Sequence, residues 1–161
     1  MAVPHILKQV KRAEAEGFDA TIIWCGGDPA LEAARELVNI PVIGPEESMK
    51  LLASMLGKKP LRITPNIPVL EMRRDLDVTK KMIRTIVEEK IKKGEGDAFY
   101  LGCLALLGVG KALRAETDIP VIDGAEASLK IAEVSVKLGL RHNRAAYPKY
   151  PPQNRISSPV I

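Results

Sequence analysis

Two stretches of this chain are imperfect copies of one another, so any fold it adopts has to give both copies equivalent surroundings. The first runs from Asp19 through Thr21-Ile22-Ile23-Trp24 to Cys25, then on to Ile40-Pro41-Val42-Ile43-Gly44. The second runs from Asp97 through Phe99-Tyr100-Leu101-Gly102 to Cys103, then on to Ile119-Pro120-Val121-Ile122-Asp123-Gly124. In each copy the only cysteine stands six residues after the aspartate, at the exit of an apolar run. A duplicated unit with one thiol per copy can set two thiols on opposite sides of a shared cleft, as two-base proton transfer requires.

The periodicity around these copies alternates strands with helices. A helix is expected over His5 to Glu16, with Ile6, Leu7 and Val10 on one face and Gly17 as its stop. The continuous apolar run Ala20 to Trp24 reads as a strand buried on both sides. Asp28-Pro29 reads as an N-cap followed by the residue best suited to the first helical position, giving a helix to about Val38. Further strands are expected at Pro41 to Gly44, Leu61 to Thr64, Ala98 to Gly102 and Pro120 to Ile122. Helices are expected over Glu46 to Leu56, from Asp75 or Asp77 to Lys93, over Ala105 to Glu116 and from Ala125 to Leu138, while Val69 and Leu70 look extended. Such alternation calls for parallel strands joined by crossovers, an α/β layered fold. The chain is expected to form a single unit over residues 1–161. Its repeats cover about 19–57 and 97–139, and residues 147–161 form a proline-rich tail.

Composition narrows the function classes. The chain has 161 residues, 46% of them hydrophobic, enough for a real core. No apolar run approaches the roughly 18 residues of a membrane span, and nothing resembles a signal peptide, so a cytoplasmic protein is expected. The formal charge of +4 falls mostly on helical segments such as Lys80-Lys81 and Lys90 to Lys93. With aromatics at 4%, these read as solvated helix faces rather than a nucleic-acid surface. His5 and His142 are the only histidines, and no CxxC or HxxxH spacing accompanies the cysteines, so no metal site is expected.

Ligands of open parallel sheets bind beyond the carboxyl ends of the strands, where both cysteines fall. A helix after each cysteine would present unpaired N–H groups that favour negative charge, and so a thiolate. Gly26 and Gly27 permit close backbone approach to a substrate, and Leu104 and Ala105 supply N–H groups in the equivalent place. These groups could hold a carboxylate or a developing enolate oxygen. The blander reading of either cysteine alone is a small buried hydrophobe, and the paired placement argues against it. Glu46 and Glu126, in the first turns of helices, have sufficient reason in the helix dipole. Asp28 reads as a cap, and Asp123 as a turn residue.

Several segments resemble the hydantoin racemase family of the aspartate/glutamate racemase superfamily. They include Glu14-Ala15-Glu16-Gly17-Phe18-Asp19-Ala20, Cys25-Gly26-Gly27-Asp28-Pro29-Ala30-Leu31-Glu32-Ala33-Ala34-Arg35-Glu36, Leu101-Gly102-Cys103 and Lys137-Leu138-Gly139-Leu140-Arg141. The resemblance implies a pseudo-symmetric two-lobe α/β fold with parallel sheets flanked by helices. It also implies racemisation of hydantoins or related amino-acid derivatives with no cofactor. By the family pattern Cys25 and Cys103 are proton acceptor and donor, with Gly26, Gly27, Leu104 and Ala105 contacting substrate and Thr64 facing the pocket.

Relative to that family, the chain opens at what corresponds to a later helix, lacks the N-terminal strand with its Asn-Pro-Asn type loop, and is shortened between Thr64 and Ile67. An uncovered sheet is the expected consequence, to be covered by self-association into a homo-oligomer. The alternative reading is an inactive truncated homologue that binds a small acid or serves as an assembly subunit. A relative using one cysteine for decarboxylation or cis-trans isomerisation is a third. The substrate side chain is not legible, because the pocket-lining segments of the family are the missing ones.

Overall fold

The computed structural model describes residues 3–149, so most of the proline-rich tail, from residue 150 onward, lies outside the described residues. Helix α1 (Val3–Ala15) turns its Ile6–Leu7–Val10 face inward and leads to the short strand β1 (Thr21–Ile22). Helix α2 (Leu31–Leu37), strand β2 (Val42–Ile43) and helix α3 (Pro45–Leu56) complete the first repeat. Strand β3 (Pro60–Ile63), helix α4 (Val69–Arg74) and helix α5 (Leu76–Lys92) link it to the second. That repeat comprises β4 (Ala98–Leu101), a 3-10 turn (Leu104–Leu106), α6 (Val109–Glu116), β5 (Val121–Ile122) and α7 (Gly124–Lys137).

Among the described residues all strand pairs are parallel, in one two-stranded sheet, β1-β2, and one three-stranded sheet, β3-β4-β5. The duplication extends to the ladder register. Thr21, four residues before Cys25, pairs with Val42, and Phe99, four residues before Cys103, pairs with Val121. An arginine marks each copy as well. Arg35 donates from Nε to the Val42 carbonyl at 3.2 Å, and Arg114 from Nη1 to the Val121 carbonyl at 2.6 Å. Each arginine also pairs with a first-turn glutamate of the next helix, Glu47 or Glu126.

The last helix of each repeat crosses to the other repeat's sheet. α3 lies on β3-β4-β5, α7 packs on β1-β2, and the two helices pack against each other. Met49 and Ala53 of α3 are buried with Ala98, Tyr100, Ile122 and Ala127. The opposite face of the larger sheet buries Phe99, Leu101 and Val121 against Ile83, Val87 and Leu113 of α5 and α6. β4 is thus apolar on both faces, as its continuous apolar sequence predicts.

Three local expectations are corrected. Asp28-Pro29 does not start α2: Asp28 and Ala30 both take left-handed backbone, at φ 46° and 61°, and the helix begins at Leu31. Val69 and Leu70 are not extended but form the first turn of α4, behind Pro68, whose fixed φ of −57° suits a helix entry. The helix expected from Ala105 is split into the 3-10 turn and α6 by Gly108 at φ 90°.

Candidate active site

The helix starts fall six residues beyond each cysteine, at Leu31 and Val109, so the groups around the thiols belong to loops rather than to long helix ends. Cys25 follows β1 and is exposed, and Cys103 follows β4 and is half-buried at the head of the 3-10 turn. The N–H groups of Gly26, Gly27, Leu104 and Ala105 have no hydrogen-bond partner among the described residues. They are free donors on the loop after each cysteine.

The two cysteine loops touch. A Cβ placed on Gly26 would sit 2.6 Å from the Gly102 oxygen and 3.1 Å from Cys103 Cα, so only glycine fits there. Gly26 makes its close approach to the other loop, whereas Gly27 faces open space. Gly102 is crowded in turn: a Cβ there would lie 2.2 Å from Thr64 Oγ1 and 2.4 Å from Arg62 Nε. Thr64 thus stands beside the residue that precedes Cys103. Leu104 directs its side chain onto Gly124 at the start of α7, whereas Ala105 packs on the core under the larger sheet.

Two carboxylates tie these loops down. Asp28 accepts from the N–H groups of Glu46 and Glu47, both at 2.9 Å, and so caps α3 from a loop 18 residues earlier. Two charge-assisted bonds at a helix start contribute on the order of 1–2 kcal/mol. In the second copy the carboxylate comes from the strand end. Asp123, buried, accepts from Gly108 N–H at 2.6 Å and from Ala125 N–H at 3.0 Å, which makes it the cap of α7 rather than a bare turn residue.

Arg62 has no counterpart among the residues singled out from the sequence. Its Nη2 donates to the Gly102 carbonyl at 3.0 Å and reaches the Gly26 carbonyl at 3.5 Å, with Glu46 Oε1 3.6 Å from Nη1. The one available signal was strand parity, which puts Arg62 on the same face of β3 as Thr64. An apolar cleft of about 450 Å³ lies beside the junction rather than on it. Ile22, Trp24, Leu107, Gly108 and Leu129 line it, and Trp24 is 60% exposed. Among the described residues no helix is long and apolar enough to cross a membrane.

The fold, parallel sheets flanked by helices, agrees with what the chain is similar to. The family model described as Asp/Glu/Hydantoin racemase matches residues 1–64. A hydantoin racemase of Pseudomonas sp. (strain NS671) is 32% identical over 179 residues, an alignment covering 94% of this chain and 72% of that protein. Allantoin racemases of Klebsiella pneumoniae and Pseudomonas fluorescens share the fold with TM-scores of 0.84 and 0.85, at 28% and 25% identity. They cover 93% and 96% of this chain and 74% and 77% of their own. The chain belongs to the Asp/Glu/Hydantoin racemase family, whose members named here are isomerases.

Proposed function

We propose that the protein is a cofactor-independent racemase of hydantoins or related amino-acid derivatives, with Cys25 and Cys103 as its acid/base pair. The observation that carries this reading is the contact of Gly26 with Gly102 and Cys103, which brings the loops bearing the two thiols together. In either direction one cysteine, as thiolate, takes the proton from the stereogenic carbon, and the other, as thiol, delivers one to the opposite face. The free N–H groups of Gly26 and Gly27, with those of Leu104 and Ala105, supply donors for the oxygen on which the carbanion's charge collects. Thr64 adds a hydroxyl beside Gly102. A ring carbonyl spreads that charge, which makes a hydantoin easier to deprotonate than a free amino acid. The names of the relatives, hydantoin and allantoin racemases, point to the same ring system.

Cys25→Ala and Cys103→Ala test the pair. Each is expected to lower the racemisation rate of a 5-substituted hydantoin, followed by loss of optical rotation, by at least roughly 1000-fold. Substantial racemisation by either single variant would contradict two-base chemistry.

A further inference from the structure

Gly26 directly follows Cys25 and Gly102 directly precedes Cys103, so whatever fixes these two glycines relative to each other fixes the spacing of the thiols. Their carbonyls converge on one guanidinium nitrogen, Nη2 of Arg62. Both glycines are buried, so the two carbonyl dipoles would otherwise meet without a donor between them. The guanidinium lies against Gly102, where a Cβ would collide with Nε and stand 3.1 Å from the central carbon. Its far side faces Glu46, in the first turn of α3, the same turn that Asp28 caps from the Cys25 loop. The strand residue Arg62, the Cys25 loop and the start of α3 therefore form one connected unit around the junction.

We propose that Arg62 is the positioning residue that sets the separation of Cys25 and Cys103, by riveting the carbonyls of Gly26 and Gly102. The inference rests on the cysteine-pair reading of the site and adds a residue to it. Arginine suits the task because the two N–H bonds of Nη2 are held in the guanidinium plane and leave Nη1 for Glu46, whereas lysine is a point charge on a flexible stem. Arg62 acts here through the loops and not on the substrate. Its loss therefore lowers the rate at saturation and leaves substrate affinity nearly unchanged.

Dibromobimane separates this proposal from the reading beneath it. Each of two nearby thiolates displaces one bromide, forming a C–S bond and breaking a C–Br bond, and the product fluoresces once both have reacted. The wild-type protein is expected to become fluorescent with one reagent per chain. In Arg62→Ala the cross-linking rate is expected to fall at least about tenfold, while alkylation of each thiol by iodoacetamide stays unchanged. A loosened site also costs roughly 100-fold in kcat, with KM within about twofold, and Arg62→Lys recovers part of both losses. If Arg62→Ala unfolds by circular dichroism, Arg62→Gln and Arg62→Lys, which keep the stem along the strand, carry the comparison. Wild-type cross-linking in the variants, or a loss confined to KM, overturns the positioning role. No cross-linking in the wild type overturns the cysteine pairing itself, and the positioning role with it.

Discussion

Ala30 is held in left-handed backbone, at φ 61°, within the loop that carries Cys25. For an L-residue that conformation costs about 1–2 kcal/mol, and it persists because the loop before it is fixed and α2 begins directly after it. Gly26 is pinned against Gly102, and Asp28 is bonded to the start of α3. Ala30→Gly removes the strain at an entropic cost of about 0.5–1 kcal/mol, for a net gain of about 0.5–1 kcal/mol. The thermal midpoint is expected to rise by about 2–3 °C in calorimetry, and a lower midpoint would show that Ala30 carries no such strain. At this scale the sequence is partly legible. Both cysteines stand out by their repeat, and a glycine beside one of them announces a close approach. What the glycine approaches, and that Asp28 caps a helix 18 residues away, are tertiary facts that no local pattern encodes. Arg62 is hidden for the same reason: alone on a strand it reads as an exposed charge.

Among the elements, β2 shows how an edge strand of only two residues is closed. β1 takes the bonds of one side, Thr21 donating to the Pro41 carbonyl and Ile23 to the Ile43 carbonyl. On the other side the Val42 carbonyl accepts from Arg35, and the Val42 N–H donates to His142 Nε2 at 2.8 Å. His142 therefore has to be neutral to serve as acceptor. Burial pushes its pKa down from the ordinary histidine range, and the Arg35 and Arg144 guanidiniums push the same way, against the Glu47 carboxylate. Tyr147 closes the group, its ring 5.4 Å from the imidazole and its hydroxyl accepting from Arg35. Because the folded pKa is the lower one, the unfolded chain binds the extra proton. The contribution is complete above the unfolded value near 6.5 and is lost as pH falls toward the folded one. Below about pH 6.5 the wild type is expected to lose stability more steeply than His142→Gln, whose amide oxygen can accept from Val42 without titrating. Parallel urea midpoints across that range would contradict the role given to His142. Most elements were legible from periodicity and caps, α5 behind Asp75 and α7 before Gly139 among them. The misses fell at Val69-Leu70 and after the cysteines, where proline and glycine chemistry fits either a turn or a helix start.

At the scale of the molecule the duplication builds the site. Each repeat ends in a helix that leaves its own sheet for the other, so α3 and α7 interlock the two halves, and the loops after β1 and β4 meet at Gly26 and Gly102. The order of strands and helices, and with it the α/β class, followed from the sequence, because the two copies repeat at the level of residue pattern. The crossing of α3 and α7 did not, because Met49 and Ala53 read only as a buried helix face until the partner sheet is known. On the proposed reading this scaffold presents two thiols to one carbon. Proton NMR in deuterated water tests that arrangement by following the ring α-proton of a 5-substituted hydantoin with the purified protein. Loss of that signal well above the buffer rate, with deuterium in both enantiomers of the product, is the predicted result. A signal that persists at the buffer rate across hydantoins and allantoin would contradict racemisation by the Cys25–Cys103 pair.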